Sequence, residues 1–228
     1  MTRMYKFVRR TWNPLVGCGF NCIYCWARRM AKRQKCELCR SFKPHAHRER
    51  LDVSLLPKSG VVFVCDMGDI SCHHIQDIRE VLRFIESFQQ NHETVFFLET
   101  KNPSIYSACM EMTRLDPGKT ILSATIETNR NQIAAEFSKA PMPEYRYNDM
   151  RMLDWPRKHV SVEPIMDFDL DVMFKWIAGI EPEMVSIGYD NYGNRLPEPP
   201  LEKTMKLIQM LEDSGIMVER KTLREAWR

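Results

Sequence analysis

No stretch of this sequence approaches the roughly 20 consecutive apolar residues that a membrane-spanning helix needs. The opening residues MTRMYKFVRR lack the apolar centre of a secretory signal. Internal repeats and low-complexity tracts are missing too, which excludes solenoids and compositionally disordered tails. The expectation is a soluble, cytoplasmic chain with no membrane partner. Such a chain needs no disulfide framework: 228 residues, 44% hydrophobic, can bury a full core, and thiols in a reducing compartment stay reduced. The eight cysteines therefore read as metal ligands or redox groups.

Acidic residues are scarce at one end. Residues 1–58 carry 14 Lys+Arg against 3 Asp+Glu, whereas residues 59–228 carry 19 against 27. The formal net charge of +3 hides this asymmetry. A basic end with interleaved aromatics (Trp12, Phe20, Tyr24, Trp26, Phe42) suits a phosphate-rich partner such as nucleic acid. It equally suits a solvated lysine-rich face beside an anionic site.

Short apolar runs recur at 5–8, 61–65, 94–99, 120–126, 159–163 and 184–188, and read as strands buried on both faces. Helical patterns lie between them. Ile78, Val81, Leu82 and Ile85 form one stripe; Asn102 and Pro103 are placed to open the next helix; "DLDVMFKWI" and "PLEKTMKLIQMLEDSG" repeat the pattern, the last closed by Gly215. Strand alternating with helix predicts an α/β fold with a parallel sheet, a partial or complete barrel or an open doubly wound sheet, in a single domain over 1–228. Either architecture places chemistry at the carboxyl ends of the strands. Those ends are polar: Asp66, then Glu99, Thr100 and Lys101, then Glu127, Glu163, and Tyr189 with Asp190. Two segments break the rhythm, a basic Cys/His-containing insertion at 27–59 and a stretch at 140–158 whose proline and charge predict an extended loop.

Within "GCGFNCIYC", Cys18, Cys22 and Cys25 are spaced C-x-x-x-C-x-x-C. Structural zinc closes with four ligands, and ferredoxin clusters use four cysteines; three thiolates leave one iron of a four-iron cluster open to another ligand. Gly17, Gly19 and Asn21 let the loop wrap closely and aim backbone N–H groups at sulfur. Three buried apolar cysteines are the plain alternative, and the glycine and asparagine between them argue against it.

This segment, directly after a first strand, resembles the signature of the radical S-adenosylmethionine (SAM) superfamily. With "TWNPLVGC", "VFVCDMGDI", "FFLETKNP", "LSATIETN", "SVEPIMDF" and "VERKTLREAW", nearly the whole chain is similar to a group of small, often phage-associated radical SAM proteins, distantly similar to spore photoproduct lyase. The resemblance implies a partial (β/α)6 TIM-like barrel. It implies that Cys18, Cys22 and Cys25 ligate a four-iron four-sulfur cluster whose open iron chelates SAM. Reductive cleavage would then give a 5′-deoxyadenosyl radical that abstracts hydrogen from substrate, with electrons from a flavodoxin- or ferredoxin-type reductant. For SAM it nominates Tyr24; Asp66, Gly68 and Asp69 in place of the family's double glycine; Ser123, Thr125 and Glu127 for the ribose; and Glu163 or Lys101 for the carboxylate or the substrate. Cys65 and Tyr189 are candidates to donate hydrogen to a substrate radical; Cys65 also reads as simple packing.

"CELCRSFKPHAH" supplies a second donor set, Cys36, Cys39, His45 and His47. Two sulfurs and two nitrogens fit tetrahedral zinc, although His45 and His47 are closer than finger spacing; an auxiliary iron–sulfur cluster is the alternative, and exposed thiols beside surface histidines the plainest reading. The leading functional expectation is a radical SAM enzyme acting on a nucleic-acid base or nucleotide. A peptide or small metabolite as substrate, and a non-enzymatic zinc module that binds nucleic acid, are the alternatives.

Overall fold

The computed structural model describes residues 4–227. Its packing divides into two compact units: one holds the residues up to Gly19, Cys25–Thr100 and Ile105–Leu122, the other Phe20–Tyr24, Lys101–Ser104 and the residues from Ser123 on.

The first unit contains β1 (Val8–Trp12), β2 (Leu15–Val16), α1 (Trp26–Ala31), α2 (Glu37–Ser41), β3 (His45–Ala46), β4 (Ser59–Val64), α3 (Ile75–Gln89), β5 (Glu93–Thr100) and α4 (Ile105–Met112). β1 pairs with β4, and β4 with β5, both parallel. Parallel neighbours must be buried on both faces, which is why β4 and β5 are runs of Val, Phe and Leu. α3 covers them with Ile78, Val81, Leu82, Ile85 and Phe88, all buried. Full burial of each such side chain contributes about 1.5–3 kcal/mol, so Leu82→Ala would cost about 2–5 kcal/mol. A smaller antiparallel ladder joins β2 to β3, pairing Leu15 with Ala46 and Val16 with His45.

β6 (Thr120–Thr125) begins in the first unit and ends in the second, which adds α5 (Asn131–Phe137), α6 (Pro143–Met152), β7 (Lys158–Val162), α7 (Leu170–Ile180), β8 (Met184–Ile187), α8 (Leu201–Asp213) and β9 (Met217–Arg220). β7–β8 and β8–β9 are parallel. The hydrogen-bonded order of the seven longer strands is β1-β4-β5-β6-β7-β8-β9, the α/β parallel-sheet class that the strand and helix alternation predicts. No helix among the described residues is long and apolar enough to cross a membrane.

Four expectations are corrected. The first strand is Val8–Trp12 rather than 5–8: Tyr5 instead enters a cluster with Val8, Phe63, Phe97 and Ile121, and the ladder runs from Val8 through exposed Arg9, Arg10 and Thr11 to Trp12. Residues 140–158 are not an extended loop, because Pro143 stands at the first helical position, where a missing N–H costs nothing, and α6 follows. The helix expected from Pro103 begins at Ile105, since the Asn102 side chain accepts from the Ser104 hydroxyl at 2.8 Å in the preceding turn. A seventh strand, β9, follows the six predicted ones.

Candidate functional site

In the first unit β2 delivers the chain to Gly17 and Cys18. Gly17 has φ +97°, and a Cβ there would stand 2.3 Å from the Lys43 carbonyl oxygen, so only glycine fits. Its N–H donates to the Met67 carbonyl (3.0 Å), and its carbonyl accepts from the Asp69 N–H (3.3 Å). The Cys18 N–H donates to the Phe42 carbonyl (3.3 Å). Cys18 and Cys25 thus pack together on a small cluster of Ala27, Ala31 and Phe42. Cys25 caps α1, its sulfur accepting from the Arg28 N–H at 3.4 Å. In the second unit Cys22 is buried, with its sulfur 3.1 Å from the Ser138 hydroxyl. None of the eight cysteines is in a disulfide.

The turn after β4 holds the residues nominated for SAM. Gly68 bridges Gly17, and a Cβ on it would meet the Gly17 carbonyl oxygen at 2.7 Å. Asp69 is buried and accepts from the Thr100 hydroxyl (2.6 Å), the Ser71 hydroxyl (2.7 Å) and the Ser71 N–H (3.0 Å). The Asp66 carboxylate accepts from the Asn13 amide at 2.5 Å, and burial raises its pKa above the ordinary carboxylate range. Cys65, just past β4, has φ +63°, and burial pushes its thiol up to about 12. Cys72 lies 3.8 Å from Cys18, sulfur to sulfur, and accepts from the Gly19 N–H at 3.4 Å; the contact with Cys18 is the main cause that lowers its pKa.

The four donors of the second cluster converge: one ligand atom each from Cys36, Cys39, His45 and His47 lies within 4.8 Å of every other. Cys39 Sγ is 3.4 Å from His45 Nε2 and 3.1 Å from His47 Nε2; Cys36 Sγ is 3.9 Å from His45 Nε2; the two Nε2 atoms are 2.9 Å apart. His45 lies on β3 and His47 directly follows it, so alternation puts their rings on one face. The Cys39 N–H is the main cause that holds the Cys36 thiol below its usual pKa; burial raises Cys39.

In the second unit Glu127, at the carboxyl end of β6, is completely buried. Its Oε1 accepts from the Tyr24 hydroxyl and Lys101 Nζ, and its Oε2 from Arg146 Nη1 at 2.6 Å. Arg146 is also buried and donates to the carbonyls of Pro141 (2.6 Å) and Thr125 (3.0 Å). Burial alone would raise the carboxyl pKa; the charges of Arg146 and Lys101, with donation from Lys101 and Tyr24, outweigh it and hold Glu127 at about 2. Tyr24 shifts the other way, raised well above its usual value by burial and by Glu127.

The remaining strand-end residues have defined partners. Ser123 bonds His159 Nδ1 at 2.8 Å, His159 Nε2 bonds Ser186 at 2.9 Å, and Ser186 donates to half-buried Glu219 at 2.7 Å, a polar chain through β6, β7, β8 and β9. Burial first, then Lys221, lowers His159 to about 3, so the ring is neutral. Thr125 is buried on β6. Glu163 pairs with Lys221, yet burial still raises its pKa. The Tyr189 hydroxyl donates to the Pro199 carbonyl (3.0 Å) and shares a hydrogen with Thr204 (2.8 Å), and burial raises it.

Sequence patterns did not reveal Arg146, His159 or Ser186, because a polar residue inside an apolar run or a polar helix announces no partner. Thr100 and Glu127 stood out only as polar strand ends.

The profile of one protein family, described as "Protein of unknown function (DUF5131)", matches residues 3–183. No curated protein matches the sequence. Among solved structures, SuiB of Streptococcus suis is similar in three forms, each 11% identical and each covering 95% of this chain. SuiB bound to S-adenosylmethionine gives a TM-score of 0.64 with 50% of that chain covered. SuiB bound to its precursor peptide SuiA gives 0.65 with 49% covered, and a further SuiB structure 0.63 with 49%. The chain thus spans about half the length of SuiB, and at this identity the likeness is one of fold: a partial TIM-like α/β barrel. The family match takes in most of the sequence, so the chain belongs to the DUF5131 family.

Proposed function

We propose that this chain is a radical SAM enzyme in which Cys18, Cys22 and Cys25 hold a four-iron four-sulfur cluster. The observation that carries the reading is the three-thiol spacing, set on a fold similar to that of SuiB bound to S-adenosylmethionine. Three thiolates suit an iron–sulfur cluster with one open iron better than they suit zinc. The donor set fits: none of these thiols is in a disulfide, and the buried Arg28 Nε, three residues beyond Cys25, has no hydrogen-bond partner and would suit an anionic sulfur. When bound, the group would pass one electron to the SAM sulfonium, releasing a carbon radical able to take hydrogen from a substrate.

The protein's own residues would orient and shield. Tyr24 is fixed by Glu127 and presents its ring beside Cys25 in sequence. Asp66, Gly68 and Asp69 would form the turn for the SAM amino group; Ser123, Thr125 and Glu127 would line the ribose side; Glu163 and Lys101 would reach the SAM carboxylate or the substrate, with Lys101 supplying the positive charge that suits a carboxylate. Burial keeps the Cys65 thiol in its S–H form, the state a hydrogen donor needs, and Tyr189 is the other candidate. A flavodoxin- or ferredoxin-type protein would supply electrons.

For the substrate we favour a nucleic-acid base or nucleotide. Arg29, Lys32, Arg33, Lys35, Arg40 and Lys43 are all exposed, and the resemblance to the spore photoproduct lyase group points the same way. A peptide substrate is the second reading, since SuiB has been seen with the precursor peptide SuiA.

Anaerobic reconstitution with iron and sulfide, followed by dithionite and SAM, is expected to release 5′-deoxyadenosine. A fully loaded cluster that yields none would overturn the proposal, and zinc without iron in anaerobically purified protein would favour a non-enzymatic module. Binding to tRNA or DNA is expected to weaken steeply as salt rises; salt-independent binding would count against the phosphate reading.

A further inference from the structure

From the Cys36–His47 knot we infer a structural zinc site, with two sulfur and two nitrogen ligands, that also clamps the backbone of Cys18. The inference does not depend on the radical SAM reading.

The geometry matches the ion. With Zn–S about 2.3 Å and Zn–N about 2.0 Å, a tetrahedral site separates sulfur from nitrogen by about 3.5 Å and nitrogen from nitrogen by about 3.3 Å. The observed sulfur–nitrogen distances are 3.1, 3.4 and 3.9 Å, and the nitrogens are 2.9 Å apart. The outer partners fix the histidine tautomers. His45 Nδ1 faces the Lys43 carbonyl (2.8 Å) and His47 Nδ1 faces the Glu49 carboxylate (2.7 Å). Both are pure acceptors, so each Nδ1 carries a hydrogen and each Nε2 is left facing inward, where as a metal ligand it would offer a lone pair. Two lone pairs 2.9 Å apart repel unless a cation lies between them. A proton satisfies one such contact; a tetrahedral cation satisfies both rings and both thiolates.

The clamp follows from what the knot encloses. β3 pairs with β2 over two residues per strand, and the His47 N–H donates to the Pro14 carbonyl at 2.7 Å. Phe42, at φ +56° and buried, receives the Cys18 N–H on its carbonyl. Segment 36–47 is therefore a cradle around residues 14–18. A two-residue ladder does not hold itself in water, and the few buried side chains of this segment, Cys39 and Phe42, make no core of their own. Zinc would be what closes the cradle.

The test uses the full chain. Wild-type protein purified from zinc-supplemented medium is expected to hold about one zinc per chain, and so is a variant lacking Cys18, Cys22 and Cys25. Zinc below about a fifth of an equivalent at saturation would overturn the site, as would loss of zinc in the triple variant only. Cobalt substitution of the wild type needs no mutation: intense tetrahedral d–d bands with thiolate charge transfer are expected, and a weak octahedral spectrum contradicts the ligand set. His45→Cys keeps a donor and should raise the charge-transfer intensity about 1.5-fold, from two thiolates to three; no change means His45 is not a ligand. Hydrogen exchange then tests the clamp: chelation should speed exchange over residues 14–20 while Glu93–Thr100 stays protected, and an unaltered 14–20 would reduce the metal to a local staple. Iron content and 5′-deoxyadenosine are read separately, so either proposal can fail alone.

Discussion

The two cysteine motifs lie within 30 residues of each other and are built on opposite plans. In the Cys36–His47 knot the donors already face one another, and outer acceptors hold both histidines. In the Cys18–Cys25 loop there are three donors, and each sulfur is attended by a different local group: Cys72 beside Cys18, Ser138 beside Cys22 and the Arg28 N–H beside Cys25. A closed set of four donors fixes a chain; an incomplete set of three leaves a metal something to react with. The difference teaches that donor count and outer-shell support, more than the abundance of cysteine, separate a staple from a reactive centre.

The sharpest way to break that contrast is Cys22→Ala. It is expected to abolish cluster loading and 5′-deoxyadenosine, by at least about a hundredfold on the scale of a lost essential group, while zinc stays bound; paired iron and zinc analyses of one preparation decide it. Gly17→Ala comes next, because its Cβ would drive into the Lys43 carbonyl at φ +97°. Cluster loading should fall severalfold with zinc retained, since the clash strikes where the two motifs meet in sequence and hydrogen bonding.

Glu127→Gln should be costly in another way. It leaves Arg146 buried without a counter-charge, and urea unfolding is expected to show a loss of about 3–5 kcal/mol. Because the folded pKa of Glu127 is depressed to about 2, its stabilisation is complete above the unfolded value near 4.3 and is lost as pH falls toward about 2. His159 acts over a higher window. Its folded pKa of about 3 lies below the unfolded value near 6.5, so stability should decline by up to about 1.4 kcal/mol per pH unit as pH drops below about 6.5. In His159→Gln that slope between pH 6 and 4 should flatten; an unchanged slope would mean other groups set it. The smallest effect is expected from Gly19→Ala, where an added Cβ meets nothing within 4 Å, and both metal contents and melting temperature should stay near wild type.

Much of the fold was legible because β4 and β5 carry continuous apolar runs and α3 keeps a clean stripe. What escaped has a physical reason. β1 is exposed at Arg9, Arg10 and Thr11, and β9 is half-exposed along "MVER", so neither edge carries the buried-strand pattern. α6 buries Pro143, Arg146 and Met150 without a clean apolar stripe and is held by tertiary partners such as the Tyr147–Trp176 stack at 4.8 Å. The donor set Cys36, Cys39, His45 and His47 could be read because short covalent spacing confines it. The convergence of Tyr24, Lys101, Glu127 and Arg146 could not, since those residues meet only after the chain has folded.

That convergence bears on how such a protein can change over generations. A carboxylate held by two buried or nearly buried cations cannot be exchanged alone without stranding a charge, and neither can Arg146. Positions 127 and 146 would therefore be inherited as a pair, replaced together by neutral residues or kept together, with Lys101 and Tyr24 drawn along. Neighbouring exposed positions, free of that bond, can drift one at a time.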